Sequence, residues 1–367
     1  MADVLIVADT ARSPELRHEV PLAAPDPMIY LERDGARRVY ASSLELPRLR
    51  ALDGLEAFAD EELGVDELIA AGYSWHELDR ELVVRACRHF ETNGVVVPRS
   101  FPLDAADHLR ANGIDVTADG GFFDRRRRQK TEAELAGIRR ALRASERAFD
   151  RVREILRGGG EVASEDLQAE ITQTLVDAGM VKPDIVIASH GPQTAVAHEA
   201  GHGPIEPGEP IVVDLYPQDP ESGCYSDMAR TFVLGEPPEE LVKIHRLCLE
   251  ALELVRSEVR AGVSGAELHR LSCGVFEREG YPTQLTKQPG EVLEEGFYHS
   301  LGHGVGLEVH ELPALGRTGD ELLPGDVIAV EPGCYRKELG GCTVEDLLLV
   351  TEGGSETLTD YPYDLAP

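Results

Sequence analysis

Two segments in the second half of the chain share the pattern that most constrains its fold. In each, an apolar run typical of a buried strand ends in a carboxylate, a loop rich in turn residues follows, and the next apolar run carries another carboxylate near its start. The acids are Asp214 and Asp227 in the first segment, and Glu331 and Glu345 in the second. Because cross-strand neighbours in an antiparallel pair lie about 4.5–5.5 Å apart, each segment is predicted to be a hairpin that brings two carboxylates together.

Carboxylates gathered in this way require nearby positive charge. Burial disfavours each ionised group, and like charges at short range disfavour it further. Two divalent cations about 3.5–4 Å apart would neutralise the set and lower the pKa of a bridging water, giving a hydroxide nucleophile near neutral pH. Between the two segments, His303 stands between two glycines, and its imidazole would complete a mixed oxygen and nitrogen ligand set. The predicted ligands of this dinuclear site are Asp214, Asp227, His303, Glu331 and Glu345.

Each of these residues also has a simpler interpretation. An acid at a strand end is often a solvated cap, and a histidine between glycines is often a turn residue. Five such residues in one order favour the metal site instead. The run 302–306 departs from the G-x-G-x-x-G spacing of a dinucleotide-binding loop, because Leu307 stands where the third glycine belongs. No G-x-S-x-G segment occurs either, so the sequence predicts neither a nucleotide cofactor nor a serine nucleophile.

The region before residue 126 is predicted to be a separate small α/β domain. It alternates short apolar runs of strand character with segments of helical spacing. The glycine pair at 120–121 marks its end, which gives domains of 1–125 and 126–367. The predicted strands are 4–8, 28–31, 39–41 and 95–97, and the predicted helices are 60–71, 74–90 and 103–112.

A long amphipathic helix is predicted to open the second domain. Apolar residues recur at helical spacing between Leu135 and Leu156, and Thr131 with Glu134 forms the capping box that starts a helix. The glycine run 158–160 ends the segment. Further helices are predicted at 164–178, 241–259 and 265–279. The alternation of these helices with the two hairpins predicts an α+β domain.

Charge and apolar runs exclude several classes of partner. The chain has 67 acidic and 36 basic residues, a formal net charge of -31 at pH 7, and such a field repels nucleic acid and anionic membranes. The basic run 124–130 is therefore predicted to be an interdomain or dimer contact. No leader peptide or membrane-length apolar run is visible, and the six cysteines form no CxxC pair. We expect a cytoplasmic protein with reduced thiols, bound neither to nucleic acid nor to a membrane.

The basic residues are mostly arginine, with lysine at only five positions (130, 182, 243, 287 and 337). An acidic, lysine-poor surface is typical of proteins that work in concentrated salt, where counter-ions screen the self-repulsion. We expect the melting temperature to rise as potassium chloride increases from millimolar to molar concentration. Thermal unfolding across that range measures this, and a midpoint indifferent to salt would contradict the halophilic interpretation.

Five stretches carry a resemblance to a known family. They are Ile211-Val-Val-Asp214-Leu, Tyr225-Ser-Asp227-Met-Ala-Arg-Thr-Phe, His299-Ser-Leu-Gly-His303-Gly-Val-Gly-Leu-Glu-Val-His310-Glu, Val330-Glu331-Pro-Gly and Val344-Glu345-Asp. Together they resemble the Xaa-Pro peptidase branch, prolidase and aminopeptidase P, of the pita-bread metallopeptidase superfamily. The resemblance implies a small α/β N-terminal domain followed by an α+β pita-bread catalytic domain with a pseudo-twofold repeat. It also implies a homodimer.

The resemblance assigns a metal role to each predicted ligand. These roles are Asp214 on one metal, His303 and Glu331 on the other, and Asp227 and Glu345 bridging both. Glu331 would also take a proton from the attacking water and pass it to the leaving nitrogen. Manganese is favoured among the metals that such a ligand set accepts, which include cobalt, zinc and iron.

Histidines outside the ligand set receive roles from the same resemblance. His310 would lie near the scissile carbonyl, and His198 and His299 would line the cleft. Uncharged imidazoles in such positions can stabilise a developing oxyanion. His202 has either a supporting or a structural role. Structural roles are predicted for His190, His245 and His269.

The implied reaction is hydrolysis of the bond before proline, by a dipeptidase or an aminopeptidase, in a peptide with proline at its second position. Most proteases fail at this bond because proline lacks the N–H that they bind, whereas a metal-based site does not require it. Thr343 departs from the family, which commonly has arginine two places before the second bridging glutamate. The alternatives are a non-peptidase reaction of the creatinase type and a catalytically inactive peptide-binding protein on the same fold.

Overall fold

The computed structural model describes residues 3–367. These residues form two compact units, divided between Arg127 and Arg128, and each unit has its own apolar core. The domain boundary predicted from the sequence follows residue 125. The division into compact units falls two residues later, and the exact domain boundary stays a prediction.

The first unit is built on a six-stranded mixed sheet. Its strands are β1 (Asp3–Ala8), β2 (Met28–Arg33), β3 (Ala36–Ala41), β4 (Glu56–Ala59), β5 (Gly94–Val97) and β6 (Asp115–Ala118). Its helices are α1 (Pro14–Glu19), α2 (Leu46–Leu49), α3 (Val65–Ala70), α4 (Trp75–His89), α5 (Leu103–Ala111) and α6 (Gly120–Arg128). The strand order is β4-β3-β2-β1-β5-β6. Successive residues of β1 enter opposite cores, Leu5 one and Val4 and Ile6 the other, as the alternation of a strand requires.

One predicted helix of this unit is interrupted. The sequence predicts a single helix over 60–71, but a 3₁₀ helix spans Asp60–Leu63 and α3 begins at Val65. Gly64 separates them with a φ of +80°. This left-handed conformation breaks the helical hydrogen-bond series and favours glycine, so the prediction of one continuous helix is wrong.

The basic run 124–130 makes ion pairs inside the units. Arg126 donates to Glu19 and to Glu32, each at 2.7 Å, within the first unit. In the second unit, Arg128 donates to Asp326 at 2.6 Å, and both side chains are buried. For these two arginines, the prediction of an interdomain contact is wrong, and the alternative of a dimer contact stays a prediction.

The second unit combines four long helices with three sheets. The helices are α7 (Glu132–Arg157), α8 (Ser164–Asp177), α9 (Glu239–Glu258) and α10 (Gly265–Arg278). The strands are β7 (Ile187–His190), β8 (Pro210–Leu215), β9 (Met228–Val233), β10 (Gly302–Gly304), β11 (Glu311–Leu315), β12 (Val327–Val330), β13 (Gly333–Arg336), β14 (Gly340–Thr343), β15 (Asp346–Val350) and β16 (Ser355–Thr357). The sheet orders are β7-β8-β9, β11-β10-β12-β15-β16 and β13-β14.

Each half of this unit places a helix pair on an antiparallel sheet. Helices α7 and α8 share a core with β7, β8 and β9 that includes Phe149 and Val213. Helices α9 and α10 share another with β12, β14 and β15 that includes Phe276 and Ile328. The two halves therefore repeat one arrangement, and the predicted metal ligands belong to the strands of both.

Helix α7 begins where its capping box predicts. The Thr131 hydroxyl accepts from the Glu134 N–H at 3.2 Å, and the Glu134 carboxylate accepts from the Thr131 N–H at 2.7 Å. These reciprocal bonds satisfy two N–H groups that the first turn leaves unpaired. The apolar side, including Ile138, Leu142 and Phe149, is buried. The predicted start of this helix is confirmed.

Both predicted antiparallel pairings are present. β8 pairs with β9, with Asp214 opposite Ala229, and β12 pairs with β15, with Val330 opposite Asp346. The connection within the second pair was expected to be a loop, but it contains the antiparallel pair β13-β14. β10, which carries His303, lies beside β12. This register brings the predicted ligands to the ends or middle of paired strands.

The helices and the cysteines test two further expectations from the sequence. Within residues 3–367, no helix combines the length and apolar character that a membrane crossing requires. All six cysteines are buried thiols, none of them in a disulfide. The cytoplasmic location stays a prediction.

Candidate metal centre

The predicted ligands lie within or directly beside five strands. Asp214 is the penultimate residue of β8, and Asp227 directly precedes β9. His303 is the central residue of β10, Glu331 directly follows β12, and Glu345 directly precedes β15. Nearly all apolar residues of these strands are buried. Packing of the two cores therefore fixes the strand ends from which the polar side chains project.

The structure brings His303 close to acids from both hairpins. Its Nε2 lies 3.7 Å from Asp227 Oδ2 and 3.7 Å from Glu331 Oε1. One ligand atom each from Asp227, His303 and Glu345 lie within 4.8 Å of one another. Atoms of these types at this spacing can contact one divalent ion.

Asp214 gives an independent sign of missing positive charge. Its Oδ1 is buried and has no hydrogen-bond partner among residues 3–367. Burial raises the pKa of this carboxyl from its ordinary value of 3.8 to about 7. A buried carboxylate without a donor is costly, and a bound cation would supply the missing partner.

The other three carboxyls are perturbed in the same direction. Burial raises the pKa of Asp227 well above its ordinary value, and the charges of Asp214 and Glu331 raise it further. Burial also raises the pKa of Glu331, reinforced by Glu345 and Asp214. The pKa of Glu345 rises through burial and through Asp227 and Asp214. This mutual repulsion fits a set of residues that holds divalent cations.

His303 is held in the form that binds metal. Its Nδ1 lies 3.1 Å from the Gly304 carbonyl oxygen. Since a carbonyl only accepts, Nδ1 carries the proton, and Nε2 keeps its lone pair toward the carboxylates. Burial and the adjacent His310 ring lower the pKa of His303 to about 4. The imidazole is therefore neutral at physiological pH.

His310 and His198 lie beside this group. The His310 ring meets the His303 ring edge to face, with centroids 4.2 Å apart. Burial, and then His198, lowers the pKa of His310. His198 itself is exposed, in the segment after a 3₁₀ helix at Gly191–Ala195. The roles predicted for His310, near the scissile carbonyl, and for His198, lining the cleft, stay predictions.

His299 has both ring nitrogens occupied by protein. Nδ1 donates to the Ser300 carbonyl at 2.7 Å, and Nε2 accepts from the Tyr335 hydroxyl at 3.0 Å. Burial lowers the pKa of His299 to about 4, so the ring is neutral and has one N–H, which is already used. His299 Nδ1 lies 4.0 Å from Glu331 Oε2. It can therefore line the site, but this arrangement leaves it no N–H for an oxyanion.

The remaining histidines of this unit lie in other surroundings. His190 bonds to Glu209 at 2.7 Å and to the His202 carbonyl at 3.1 Å, while the His202 side chain is exposed. His269 is buried against Phe297. His245 is half-buried, and burial lowers its pKa. The structural roles predicted for His190, His245 and His269 agree with these contacts.

Two supporting residues escaped the sequence analysis. Tyr335 holds His299 as described, and Arg230 is buried with its guanidinium donating to the Glu345 carbonyl at 2.7 Å. An arginine inside the apolar strand β9 was a visible signal, since such a side chain is buried only with partners. Thr343, at the position where the resembled branch has arginine, donates its hydroxyl to the Pro332 carbonyl at 3.3 Å.

A known protein family matches the part of the chain that carries the candidate metal centre. The profile of metallopeptidase family M24 matches residues 136–352, which include all five predicted ligands. The chain belongs to metallopeptidase family M24. The match begins inside α7 and runs through β15, so the family assignment covers both helix-on-sheet halves of the second unit.

Relatives in the M24 family include proteins with dipeptidase names. The Xaa-Pro dipeptidase of Pyrococcus horikoshii is 34% identical over 245 residues, which is 64% of this chain and 64% of that protein. The alignment thus spans slightly less than two thirds of that relative. The probable dipeptidase PepE of Mycobacterium tuberculosis is 31% identical over 274 residues, 73% of this chain and 68% of that protein.

The fold of this M24 member is shared over its whole length. The structure of an Xaa-Pro dipeptidase from Bacillus anthracis superposes with a TM-score of 0.80, at 23% identity, and covers 99% of this chain and 94% of that one. An identity this low speaks for the fold alone. The predicted fold class, an α/β N-terminal domain followed by a pita-bread domain with a pseudo-twofold repeat, is confirmed.

Proposed function

We propose that this protein is a metal-dependent Xaa-Pro peptidase, which hydrolyses the peptide bond before proline as a dipeptidase or an aminopeptidase. The observation that carries the proposal is the convergence of Asp227, His303 and Glu345 within 4.8 Å. Membership of the M24 family and relatives named Xaa-Pro dipeptidase support the reaction type. The intact ligand set argues against the inactive peptide-binding alternative.

The five predicted ligands would hold two divalent cations. We assign Asp214 to one ion, His303 and Glu331 to the other, and Asp227 and Glu345 to both, with manganese favoured. When bound, the cations would polarise the scissile carbonyl and lower the pKa of an attacking water. The orphaned Asp214 oxygen and the neutral, correctly protonated His303 support this assignment.

Glu331 and His310 would carry the proton transfers and the charge stabilisation. The Glu331 side chain keeps 28% of its surface exposed, so its carboxylate can reach a substrate as well as the other ligands. It would accept a proton from water and deliver it to the leaving nitrogen. His310 is neutral and exposed, and its ring would donate to the oxygen that becomes negative in the transition state.

The proposed site can accept proline because it does not require a backbone N–H at that position. Proline has no backbone N–H, so a protease that grips its substrate by strand pairing loses a hydrogen bond there. The proposed site acts through carboxylates, imidazoles and cations instead. A substrate with proline after the scissile bond would therefore bind without that penalty.

A peptide assay tests the function. Protein in molar potassium chloride with manganese is expected to cleave Ala-Pro, Ala-Pro-Ala or both, and to leave Met-Ala intact. Cleavage of Ala-Pro alone identifies a dipeptidase, and cleavage of Ala-Pro-Ala identifies an aminopeptidase. A chelator-treated sample is the control. Rapid hydrolysis of Met-Ala, or none of any peptide with manganese bound, would contradict the proposal.

The proposed assembly comes from the family resemblance, whereas the proposed setting comes from the composition of the sequence. We infer a homodimer, which light scattering on the purified protein measures directly. The cytoplasmic location and the dependence on salt stay predictions, and the potassium chloride series described above tests the second.

Without metal, the protein is expected to lose stability as the pH rises through neutrality. The pKa of Asp214 is raised from 3.8 to about 7, so folding favours the protonated carboxyl. That contribution is complete below about pH 4 and is lost as the pH rises through about 7. Divalent cations bind the deprotonated form and reverse the loss. Manganese should therefore raise the melting temperature more at about pH 8 than at about pH 5.

Calorimetry with and without manganese measures this difference. At a hundredfold excess over its Kd, a ligand of the folded state contributes about 2.7 kcal/mol. Asp214→Asn is the matched variant, because it removes the titrating group and keeps the side-chain volume. It should weaken both the pH dependence and the response to manganese. An equal response at the two pH values would contradict the prediction.

A further inference from the structure

His310 is placed by its main chain and not by bonds to its ring. Among residues 3–367, neither ring nitrogen of His310 has a hydrogen-bond partner, and its closest ring contact is the edge-to-face one with His303. The side chain is also exposed. The backbone around residue 310 and the ring contact with His303 therefore set where this imidazole lies.

The residue after His310 belongs to a buried ion pair. The Lys130 ammonium donates to Glu311 Oε1, and the two side chains are only 3% and 2% exposed. A charge pair so thoroughly removed from water is held in one geometry, because either partner alone would be costly there. Glu311 is the first residue of β11, so the pair pins the point at which the His310 segment enters that strand.

The same carboxylate also closes the turn before His310. Glu311 Oε2 accepts from the Glu308 N–H at 3.4 Å, and the Glu308 carbonyl accepts from the Gly306 N–H at 3.1 Å. The Gly306 carbonyl in turn accepts from the Tyr225 N–H at 2.8 Å. The segment 306–311 is thus tied at both ends, and Glu311 is the group that joins its end to Lys130.

Gly306 leaves the space that this pair occupies. A Cβ at position 306 would lie 2.7 Å from Glu311 Oε1 and 2.7 Å from Lys130 Nζ. Those distances are shorter than real Cβ contacts, so a larger residue would push the pair apart. The lack of a side chain at Gly306 therefore makes room for the Lys130 ammonium, although Lys130 lies more than a hundred positions earlier in the chain.

Lys130 itself is anchored on both sides. Arg128 donates to buried Asp326 at 2.6 Å, and the Gln129 amide donates to the Pro324 carbonyl at 2.9 Å. On the other side, Thr131 caps α7. The ammonium group thus extends from a fixed backbone, so its bond to the Glu311 carboxylate holds that carboxylate in one position.

We propose that Lys130, acting through Glu311, is a positioning residue for His310. The catalytic part of this inference rests on the proposed function, in which His310 stabilises the oxyanion. Lys130 does not touch the reacting atoms; it fixes the backbone that aims the imidazole at them. An error of about 1 Å in such a group can cost about a hundredfold in rate.

The decisive variant is Lys130→Met/Glu311→Met. Replacing both charges by apolar side chains of similar length avoids an unpaired buried charge, so the protein is expected to fold with nearly unchanged stability. We expect kcat to fall about a hundredfold with KM within about threefold of the parent value. In a His310→Ala background, the same double change should cost less than about threefold more, because the group that it positions is gone.

Nitrogen-15 resonances of the histidine rings give a readout independent of activity. In the double variant, the His310 ring signals should shift or broaden, while those of His269, buried elsewhere, should not. Lys243→Met/Glu279→Met is the matched control, since this pair spans 3.0 Å at the surface with side chains 38% and 32% exposed. It should change neither kcat nor the His310 signals.

Three results would overturn the inference. They are a folded double variant with parental kcat, an equal hundredfold loss in the His310→Ala background, and unmoved His310 signals. If the parent protein cleaves no Xaa-Pro peptide, the proposed function fails, but the ring signals still decide whether Lys130 positions His310. If the double Met variant does not fold, Lys130→Arg, which keeps the charge, should retain most of the activity and leave the His310 signals in place.

Discussion

Glu331→Gln is expected to lower kcat for an Xaa-Pro peptide by about 10³- to 10⁴-fold while the protein stays folded. The amide keeps the size of the side chain but cannot accept the proton of the attacking water. Its loss of charge also removes a repulsive partner of Glu345 and Asp214, both of which raise the pKa of Glu331. Stability of the metal-free protein at about pH 8 should therefore be unchanged or higher. Steady-state kinetics and thermal unfolding measure the two effects.

Glu338→Gln is the matched control for this change. Glu338 is an exposed residue between β13 and β14, in the hairpin that follows Glu331, and its replacement should leave kcat unaltered. Manganese titration should accompany both variants, because it separates loss of proton transfer from loss of a metal ligand. A Glu331→Gln enzyme within tenfold of the parent kcat would remove Glu331 from the assigned role.

Local patterns in the sequence were enough to predict the framework of the site. The capping pair Thr131 and Glu134 fixed the start of α7 because both bonds lie within one turn. The hairpin pairings followed from apolar runs that end in acids, since antiparallel register depends on which face is buried. The pairing patterns therefore predict that the acids of each hairpin lie together, and the glycines around His303 mark it as a further ligand candidate.

What the sequence did not reveal depends on contacts between distant residues. Arg230 pairs with Asp346 across 116 positions, and Tyr335 reaches His299 across 36, so no periodicity signals either partner. The β13-β14 pair was missed because its runs are short and rich in glycine. In the segment 60–71, the positive φ of Gly64 interrupts the helix that the apolar spacing predicts.

Arg230→Met should lower the free energy of unfolding by about 3–5 kcal/mol. The Arg230 side chain is 2% exposed and donates to Asp346 Oδ1 at 2.9 Å, while Asp346 is fully buried. Among residues 3–367, removing the guanidinium leaves that buried carboxylate with the Tyr363 hydroxyl, 2.5 Å away, as its one side-chain donor. Four carbonyls also lose the guanidinium as a donor, those of Ala229, Glu345, Tyr361 and Pro362, although the Ala229 carbonyl keeps its bond from the Glu345 N–H. Urea unfolding of the metal-free protein measures the loss.

The same substitution should weaken manganese binding by about 10–100-fold, because Arg230 holds the backbone of a proposed ligand. The guanidinium contacts the carbonyl of Glu345, the residue directly before β15. Without that bond, the backbone of this proposed ligand keeps its N–H bond to the Ala229 carbonyl but loses the donor to its own carbonyl. Arg139→Met is the matched control, since Arg139 and Glu356 pair at 2.9 Å with 37% and 50% exposure, and it should cost less than about 1 kcal/mol. If Arg230→Met proved as stable as Arg139→Met and bound manganese as tightly as the parent, the buried arginine would have no part in holding the metal centre together.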